Sequence, residues 1–314
     1  MITGHRAGRR NLAGAAAVAI GSLALVACTP TGSAEGRHGV LASVYPLAYV
    51  AEQVGGELVD VTLLTPPGAD PHSVELSPAQ VRTVGEADFV LYLSGFQPAV
   101  DDAVAVRDPA NVLDVADTGV LAEDHEDEDQ EDDDHADDDH EHEGADPHFW
   151  LDPTRLAVVG DAVAQALADL DPDNADTYAA GASDLAENLT ELDQEYVSGL
   201  AECESSVFVT THEAFGYLAE RYGLDQIAIS GIEPDTEPSP ARLREVSEAA
   251  TEHEVTTIFT ETLVSAKVAQ VLADDLGLVT AVLDPIGGLA EPDSDYPSIM
   301  RANLAALRAA LSCA

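Results

Sequence analysis

Residues 206–212 read Ser-Val-Phe-Val-Thr-Thr-His, a short apolar run that closes on a histidine. A run of this length, rich in β-branched and aromatic residues, is typical of a strand buried on both faces of a parallel sheet. Comparable runs recur along the chain with helical patterns between them, which predicts two α/β lobes with parallel sheets. The predicted strands are Val40–Val44, Val59–Leu64, Phe89–Leu93, Val112–Val115, Ser206–Thr210, Gln226–Ile229, Thr257–Thr260 and Val279–Leu283.

Helix boundaries are marked at several points between these strands. Ser77-Pro78 and Ser239-Pro240 each place a serine before a proline, the pattern of an N-cap followed by the first helical residue. Gly223 and Gly277 stand where C-terminal glycines end helices. These signals support helices as the connections between the strands.

A longer helical pattern joins the two halves. From Pro172 to Ala201, tyrosine, alanine and leucine recur at spacings of three and four residues, as on one face of an amphipathic helix. Such a helix would be about 45 Å long, and two shorter helices with a break near residues 181–183 are the alternative. We therefore expect an N-terminal lobe at residues 39–170, a linking helix at 171–201 and a C-terminal lobe at 202–314.

The first residues have the features of an export signal. Three arginines precede an apolar stretch that ends at Ala27 and that, at about 16 residues, is shorter than the roughly 20 needed to span a bilayer. Leu-Val-Ala-Cys at residues 25–28 resembles the processing box of bacterial lipoproteins, in which the cysteine is lipidated. We expect residues 1–27 to be a signal peptide, Cys28 to carry a lipid anchor, and residues 28–38 to include a flexible tether. An uncleaved anchor, or an ordinary signal with a chance cysteine, is the alternative.

Export also determines the expected state of the other cysteines. In an oxidising compartment, with Cys28 acylated, Cys203 and Cys313 remain as one possible pair. We expect a disulfide between them, and two buried thiols are the alternative.

The charge of the chain is strongly negative. Its 59 acidic residues against 13 basic ones give a formal net charge of −46, and Lys267 is the single lysine. Nucleic acid is therefore excluded as a partner, because phosphate binding requires clustered basic side chains.

Many of the acidic residues are concentrated in residues 123–143, a segment without any apolar side chain larger than alanine. Such a composition predicts a disordered surface loop, since nothing in it can offset the entropy of ordering. Its histidines could form weak metal sites, and a solvated insert with no specific task is the alternative. These histidines are His125, His135, His140 and His142.

Three other histidines and one aspartate stand where an α/β fold places functional side chains. His72, His212 and Asp284 each follow a predicted strand, and His148 stands at the entry to a helix. Open α/β sheets bind ligands beyond the carboxyl ends of their strands, so two facing lobes would bring the four residues together. Three imidazoles and one carboxylate suit tetrahedral Zn²⁺. The sequence thus predicts one tight zinc site between the lobes.

At these residues the sequence resembles a known family. Its ordered motifs are similar to those of the zinc-binding lipoproteins of ABC transporters, the ZnuA-like group, from about Gly39 to the C-terminus. The resemblance includes an acidic, histidine-rich loop before the second motif. The motifs are Gly-Ala-Asp-Pro-His at 68–72, Asp-Pro-His-Phe-Trp-Leu-Asp-Pro at 146–153, Thr-His-Glu-Ala-Phe-Gly-Tyr at 211–217 and Leu-Asp-Pro-Ile-Gly at 283–287.

The resemblance implies two α/β lobes bridged by a long rigid helix, one metal ion in the cleft, and delivery of that ion to a membrane permease. Manganese-binding relatives usually carry an acid at the position of His212, so the histidine favours zinc. Some zinc-binding members place a glutamate next to the first histidine, where this chain has Pro71. Asp284 or water is therefore the expected fourth ligand.

We accordingly expect an exported, lipid-anchored and monomeric protein that binds Zn²⁺ for an ABC importer and catalyses no reaction. The alternatives are a manganese-binding homologue, a surface adhesin or extracellular zinc buffer, and a secreted zinc hydrolase. The hydrolase is the weakest of these. His212-Glu213 begins like the His-Glu-x-x-His signature of metalloproteases, but Gly216 stands where the second histidine is required.

Overall fold

Each lobe is built around a four-stranded sheet in which all neighbouring strands are parallel, which confirms the predicted fold class. The structure is a computed structural model and describes residues 36–121, 145–290 and 294–314. The N-terminal sheet contains β1 (His38–Ala42), β2 (Val59–Leu63), β3 (Phe89–Tyr92) and β4 (Val112–Asp114), in the order β2-β1-β3-β4. The C-terminal sheet contains β5 (Val207–Thr210), β6 (Asp225–Ala228), β7 (Thr257–Thr260) and β8 (Val279–Val282), in the order β6-β5-β7-β8.

Helices cover the sheets and connect their strands. They are α1 (Tyr45–Gly55), α2 (Pro78–Glu86), α3 (Pro98–Arg107), α4 (Pro153–Leu170), α5 (Ala175–Gly199), α6 (Gly216–Tyr222), α7 (Pro240–Glu252), α8 (Lys267–Leu276) and α9 (Tyr296–Ala310). The predicted boundary signals act as expected at α2 and α7, where Ser77 and Ser239 accept hydrogen bonds from the backbone N–H groups of the first turn. Gly223 and Gly277, with φ of 67° and 71°, end α6 and α8.

The two sheets repeat one topology. In each sheet, the first and third strands in sequence lie side by side at the centre. The second strand of the lobe lies on one side of this pair and the fourth strand lies on the other. At such a switch point, the connections diverge and leave a crevice beyond the carboxyl ends of the two strands. In the C-terminal lobe, this crevice lies beyond β5 and β7.

Several predictions concern residues outside the described ranges. They are the signal peptide at residues 1–27, the lipidation of Cys28, most of the tether, and the loop at 123–143 with its four histidines. At the end of the tether the fold begins slightly earlier than expected, because His38 already belongs to β1. None of the helices in the described ranges combines the length and the apolar character that crossing a membrane would need.

The linking helix is present as α5, and it runs unbroken from Ala175 to Gly199. The predicted start at Pro172 is wrong, because residues Pro172–Asn174 form a separate 3-10 turn. In that turn, the Asp171 carboxylate accepts hydrogen bonds from the Asn174 amide and the Tyr178 hydroxyl. Helix α5 packs against α1 and α4, and near its C-terminal end it contacts α9 of the C-terminal lobe.

The alternative of a break near residues 181–183 is also wrong, since Gly181 lies inside α5 and has a packing role there. A Cβ atom at this position would lie 2.5 Å from the carbonyl oxygen of Val54 and 3.0 Å from that of Gln53, at the end of α1. The absence of a side chain therefore lets α5 approach the backbone of α1 closely.

One apolar core continues from the N-terminal lobe into the C-terminal lobe. Trp150 is fully buried in this core and makes two hydrogen bonds to the C-terminal lobe. Its indole N–H donates to the carbonyl of Pro285 at 2.7 Å, and the Tyr296 hydroxyl donates to the carbonyl of Trp150 at 2.6 Å. Burial of so much apolar surface between the lobes stabilises their relative position.

The predicted disulfide between Cys203 and Cys313 is present. It joins the segment after α5 to the last residues of the chain, beyond α9. The bond closes a loop with a sequence separation of 110 residues.

The close approach at Gly181 gives a stability test. We expect Gly181→Ala to lower the free energy of unfolding by about 1–3 kcal/mol, because the new methyl group meets backbone oxygens that cannot move aside. The matched control is Gly199→Ala, whose methyl group would meet only side-chain atoms of Leu304 and Arg308. The control should change stability by less than about 1 kcal/mol in urea denaturation. Equal stability of the two variants would contradict the packing argument.

Candidate metal centre

Three histidines from separate parts of the chain meet between the lobes. His72 lies in the loop after β2, His148 lies shortly before α4, and His212 lies two residues after β5. One ring nitrogen from each lies within 4.8 Å of the others. The ring centroids are 5.2, 5.6 and 5.3 Å apart, close to an equilateral triangle. We call these residues the histidine cluster.

The histidine cluster has the spacing and the space for a single cation. The Nε2 atoms of His72 and His148 are 3.2 Å apart. Two nitrogens bound to one tetrahedral Zn²⁺ at the usual bond length would be about 3.4 Å apart. The three rings line a cavity of about 20 Å³, and about 10–15 Å³ accommodates one water-sized sphere.

His148 is oriented by the aspartate two residues before it. Oδ1 of Asp146 accepts the backbone N–H of His148 at 2.9 Å and lies 2.7 Å from Nδ1 of its ring. A carboxylate beside Nδ1 holds the ring proton there and leaves the Nε2 lone pair free for a metal. The Tyr217 hydroxyl, from the other lobe, donates to the carbonyl of Asp146 at 3.1 Å and steadies this turn.

His72 is held mainly through its backbone and by packing. Oδ1 of Asp70 accepts the N–H of His72 at 3.0 Å. The buried Gln97 amide donates to the carbonyl of Pro71 at 3.0 Å, and the Phe96 ring meets the His72 ring edge-on with a centroid distance of 4.8 Å. These contacts fix the position of the loop, while Nδ1 of His72 has no hydrogen-bond partner among the described residues.

His212 depends on Glu261, a residue that the sequence analysis missed. Oε2 of Glu261 lies 2.6 Å from Nδ1 of His212, and both side chains are only 2% exposed. Oε1 of Glu261 accepts hydrogen bonds from the Thr211 hydroxyl and from the backbone N–H of His212. Glu261 follows β7 directly and His212 stands two residues after β5, so both lie at the switch point of the C-terminal sheet. Its place after an apolar run was the signal that could have identified it.

Asp284 lies two residues after β8 and lines the same cavity. Its carboxylate accepts hydrogen bonds from the N–H of Ile286 at 2.8 Å and from the Thr262 hydroxyl at 2.9 Å. It is not among the ring and carboxylate atoms that lie within 4.8 Å of one another. The structure therefore brings three of the four predicted ligands together and places the fourth beside them.

The lobes approach each other closely at this cavity. A Cβ atom on Gly287 would lie 2.7 Å from Cγ of Pro71, the residue before His72. A glycine is needed at this position because the proline ring of the opposite lobe fills the space that a side chain would take.

Comparison with known proteins assigns the chain to a family related to zinc. A family model described as "Zinc-uptake complex component A periplasmic" matches residues 40–310. The chain belongs to this zinc-uptake family.

Individual relatives agree with the family. The chain is 36% identical to the zinc-binding lipoprotein AdcA of Streptococcus pneumoniae over 91% of its own length, but it spans only 58% of that relative. It is 35% identical to the high-affinity zinc uptake system protein ZnuA of Bacillus subtilis, with 87% of each chain covered. The structure of the laminin-binding protein Lmb of Streptococcus agalactiae, described as having adhesin and metal-transporting activity, matches with a TM-score of 0.76. That match has 31% identity and covers 87% of this chain and 99% of the other.

In this member of the zinc-uptake family, the cavity is electrostatically suited to a cation. Asp70, Glu261 and Asp284 line it, and no lysine or arginine is among its described lining residues. Burial raises the pKa of Asp284, because a carboxylate charge is poorly solvated there. A bound cation would stabilise this charge.

His72 is ready to bind a metal at neutral pH. Burial above all, together with the neighbouring His148 and His212, lowers its pKa to about 2. A metal can bind only the neutral imidazole, so protons do not compete for this ring under ordinary conditions. This low pKa also makes the folding stability depend on pH.

We predict that the metal-free protein loses stability as pH falls below about 6.5, the usual pKa of histidine. Below that pH the unfolded chain protonates His72 and the folded chain does not, so protons favour unfolding. Between pH 7.5 and 5, the wild type should lose about 2 kcal/mol more than His72→Gln. Denaturation curves measured after chelator dialysis test this, with His253→Gln, at an exposed site, as the control. Parallel pH dependences of wild type and His72→Gln would refute the prediction.

The contact between Glu261 and His212 gives a second prediction. Glu261→Gln should lower zinc affinity by about 10–100-fold, because the charged acceptor that fixes the Nδ1 proton of His212 is lost. The control is Glu252→Gln, at an exposed position at the end of α7. Competition with a fluorescent zinc chelator measures both variants. Affinity equal to that of the control would show that Glu261 does not orient the ligand.

Proposed function

We propose that the protein is the extracytoplasmic zinc-binding component of an ABC-type importer. It binds one Zn²⁺ between its lobes and delivers the ion to a membrane permease. The observation that carries this proposal is the histidine cluster, in which three buried rings converge on a cavity of about 20 Å³. The zinc-related names of AdcA and ZnuA support the choice of ion and of process.

In this proposal, His72, His148 and His212 provide three nitrogen ligands and Asp284 provides the fourth. Asp284 lines the same cavity, and two donors already orient its carboxylate. Four protein ligands leave no open position on a tetrahedral zinc ion. A closed coordination sphere suits a carrier, whereas a hydrolytic zinc ion requires a position for water. Three imidazoles also favour zinc over manganese.

The location follows from the N-terminal sequence together with the relatives. We infer that residues 1–27 direct export and that a lipid on Cys28 holds the protein, as a monomer, at the outer face of the membrane. The family description includes the word periplasmic, and AdcA of Streptococcus pneumoniae is named a lipoprotein. The histidines of residues 123–143 belong to a segment whose composition offers nothing to offset the entropy of ordering, so they would add weaker zinc sites at most.

The metal content of the purified mature protein tests the proposal. We expect one zinc ion per chain after dialysis against zinc and manganese together. His212→Ala should lose most of this zinc, because one of three nitrogen ligands is removed, and Asp284→Asn should retain it more weakly. His253→Ala, at an exposed site, should behave as wild type. Retention of manganese in place of zinc, or unchanged binding by His212→Ala, would overturn the assignment.

Transport is tested separately from binding. A strain that lacks this protein should grow poorly when zinc is limiting and should recover with the wild-type protein but not with His212→Ala. Normal growth of the deletion strain, combined with tight zinc binding in vitro, would favour a zinc buffer or an adhesin over an import component.

A further inference from the structure

Each imidazole of the histidine cluster has a second nitrogen, Nδ1, that also needs a partner. When Nε2 binds a metal, the ring proton must be on Nδ1, and an acceptor there fixes the tautomer and the ring orientation. His148 has Asp146 at 2.7 Å and His212 has Glu261 at 2.6 Å, each from the same lobe as the histidine it serves. His72 has no equivalent within its own lobe.

A comparison of two similar sequences shows why. Residues 70–72 and 146–148 both read Asp-Pro-His, and in both the aspartate accepts the backbone N–H of the histidine. Asp146 also faces the ring of His148, whereas Asp70 is bonded only to the backbone of His72. The side chain of His72 is 5% exposed. Among the described residues, its Nδ1 meets no acceptor with hydrogen-bond geometry, which is true of Nδ1 of His212 as well. The two rings differ in distance, because a carboxylate oxygen lies 2.6 Å from Nδ1 of His212 and 3.8 Å from Nδ1 of His72.

Among the residues that the structure describes, the carboxylate nearest to this nitrogen comes from the opposite lobe. Glu233 lies in the β6–α7 loop (residues 229–239), and its Oε1 is 3.8 Å from Nδ1 of His72. This distance is about 0.8 Å longer than an ordinary N–H···O hydrogen bond. The Glu233 side chain is 67% exposed, so it can move toward His72 without disturbing the core.

We propose that Glu233 is a positioning residue that accepts the Nδ1–H of His72 once zinc occupies Nε2. The proposal rests on the zinc-binding function proposed above. Zinc binding would then fasten the β6–α7 loop of the C-terminal lobe onto a ligand of the N-terminal lobe. Of the carboxylates that face the three rings at Nδ1, Glu233 is the exposed one and the one that crosses between lobes.

Zinc release rates test the proposal in three variants. Excess chelator is added to the zinc-loaded protein, and release is followed in Glu233→Ala, Glu233→Gln and Glu237→Ala. We expect release about 10-fold faster in Glu233→Ala, because the Nδ1 proton loses its acceptor. Glu233→Gln should stay within about threefold of wild type, since its amide oxygen can still accept the proton. Glu237→Ala, an exposed acid of the same loop, should equal wild type.

A spectroscopic readout separates positioning from a general structural effect. In ¹⁵N-labelled, zinc-loaded wild type, the Nδ1–H of His72 should be protected from exchange and visible by NMR. It should persist in Glu233→Gln and disappear in Glu233→Ala, while the unfolding of the metal-free variants stays unchanged.

Three results would overturn the assignment. They are equal release from Glu233→Ala and Glu237→Ala, a protected proton in Glu233→Ala, and release from Glu233→Gln as fast as from Glu233→Ala. A wild type that retains no zinc would instead overturn the proposed function itself.

Discussion

Three imidazole rings share one small cavity, and one nitrogen of each lies within 4.8 Å of the others. His72 and His148 point their Nε2 atoms at each other across 3.2 Å. Burial keeps the pKa of His72 low, so its ring holds a lone pair where a proton would otherwise compete. A divalent cation is the natural occupant of such a space, because it would convert opposed lone pairs into ligand bonds. The packing of the two lobes maintains this arrangement.

The two lobes supply their side chains to this cluster in different ways. In the C-terminal lobe, His212, Glu261 and Asp284 each stand within two residues of the end of a strand. Their positions are therefore set directly by the hydrogen-bonded ladder of the sheet. In the N-terminal lobe, His72 and His148 lie on connections away from the strand ends, and an Asp-Pro-His turn shapes the chain locally. The C-terminal half of the centre is thus positioned by strand ends, whereas the N-terminal half depends on contacts of its loops, such as those with Gln97 and Trp150.

The sequence alone predicts the features that have local signals. Apolar runs, serine–proline helix starts and C-terminal glycines gave the alternation of strands and helices, and parallel sheets then placed the histidines near one another. The start of the linking helix was misjudged, because Pro172 suits a 3-10 turn as well as a first helical residue. Glu261 was missed because an acid after a strand is not distinctive in a chain with 59 acidic residues. The proximity of Glu233 to His72 depends on how the lobes pack, which no local pattern encodes.

The tight contact between Pro71 and the Gly287 backbone has a consequence for the kind of ion that the cavity can hold. At about 20 Å³, the cavity has room for a bare ion and not for one that keeps its full shell of water molecules. An ion that binds here must therefore exchange hydration water for protein ligands.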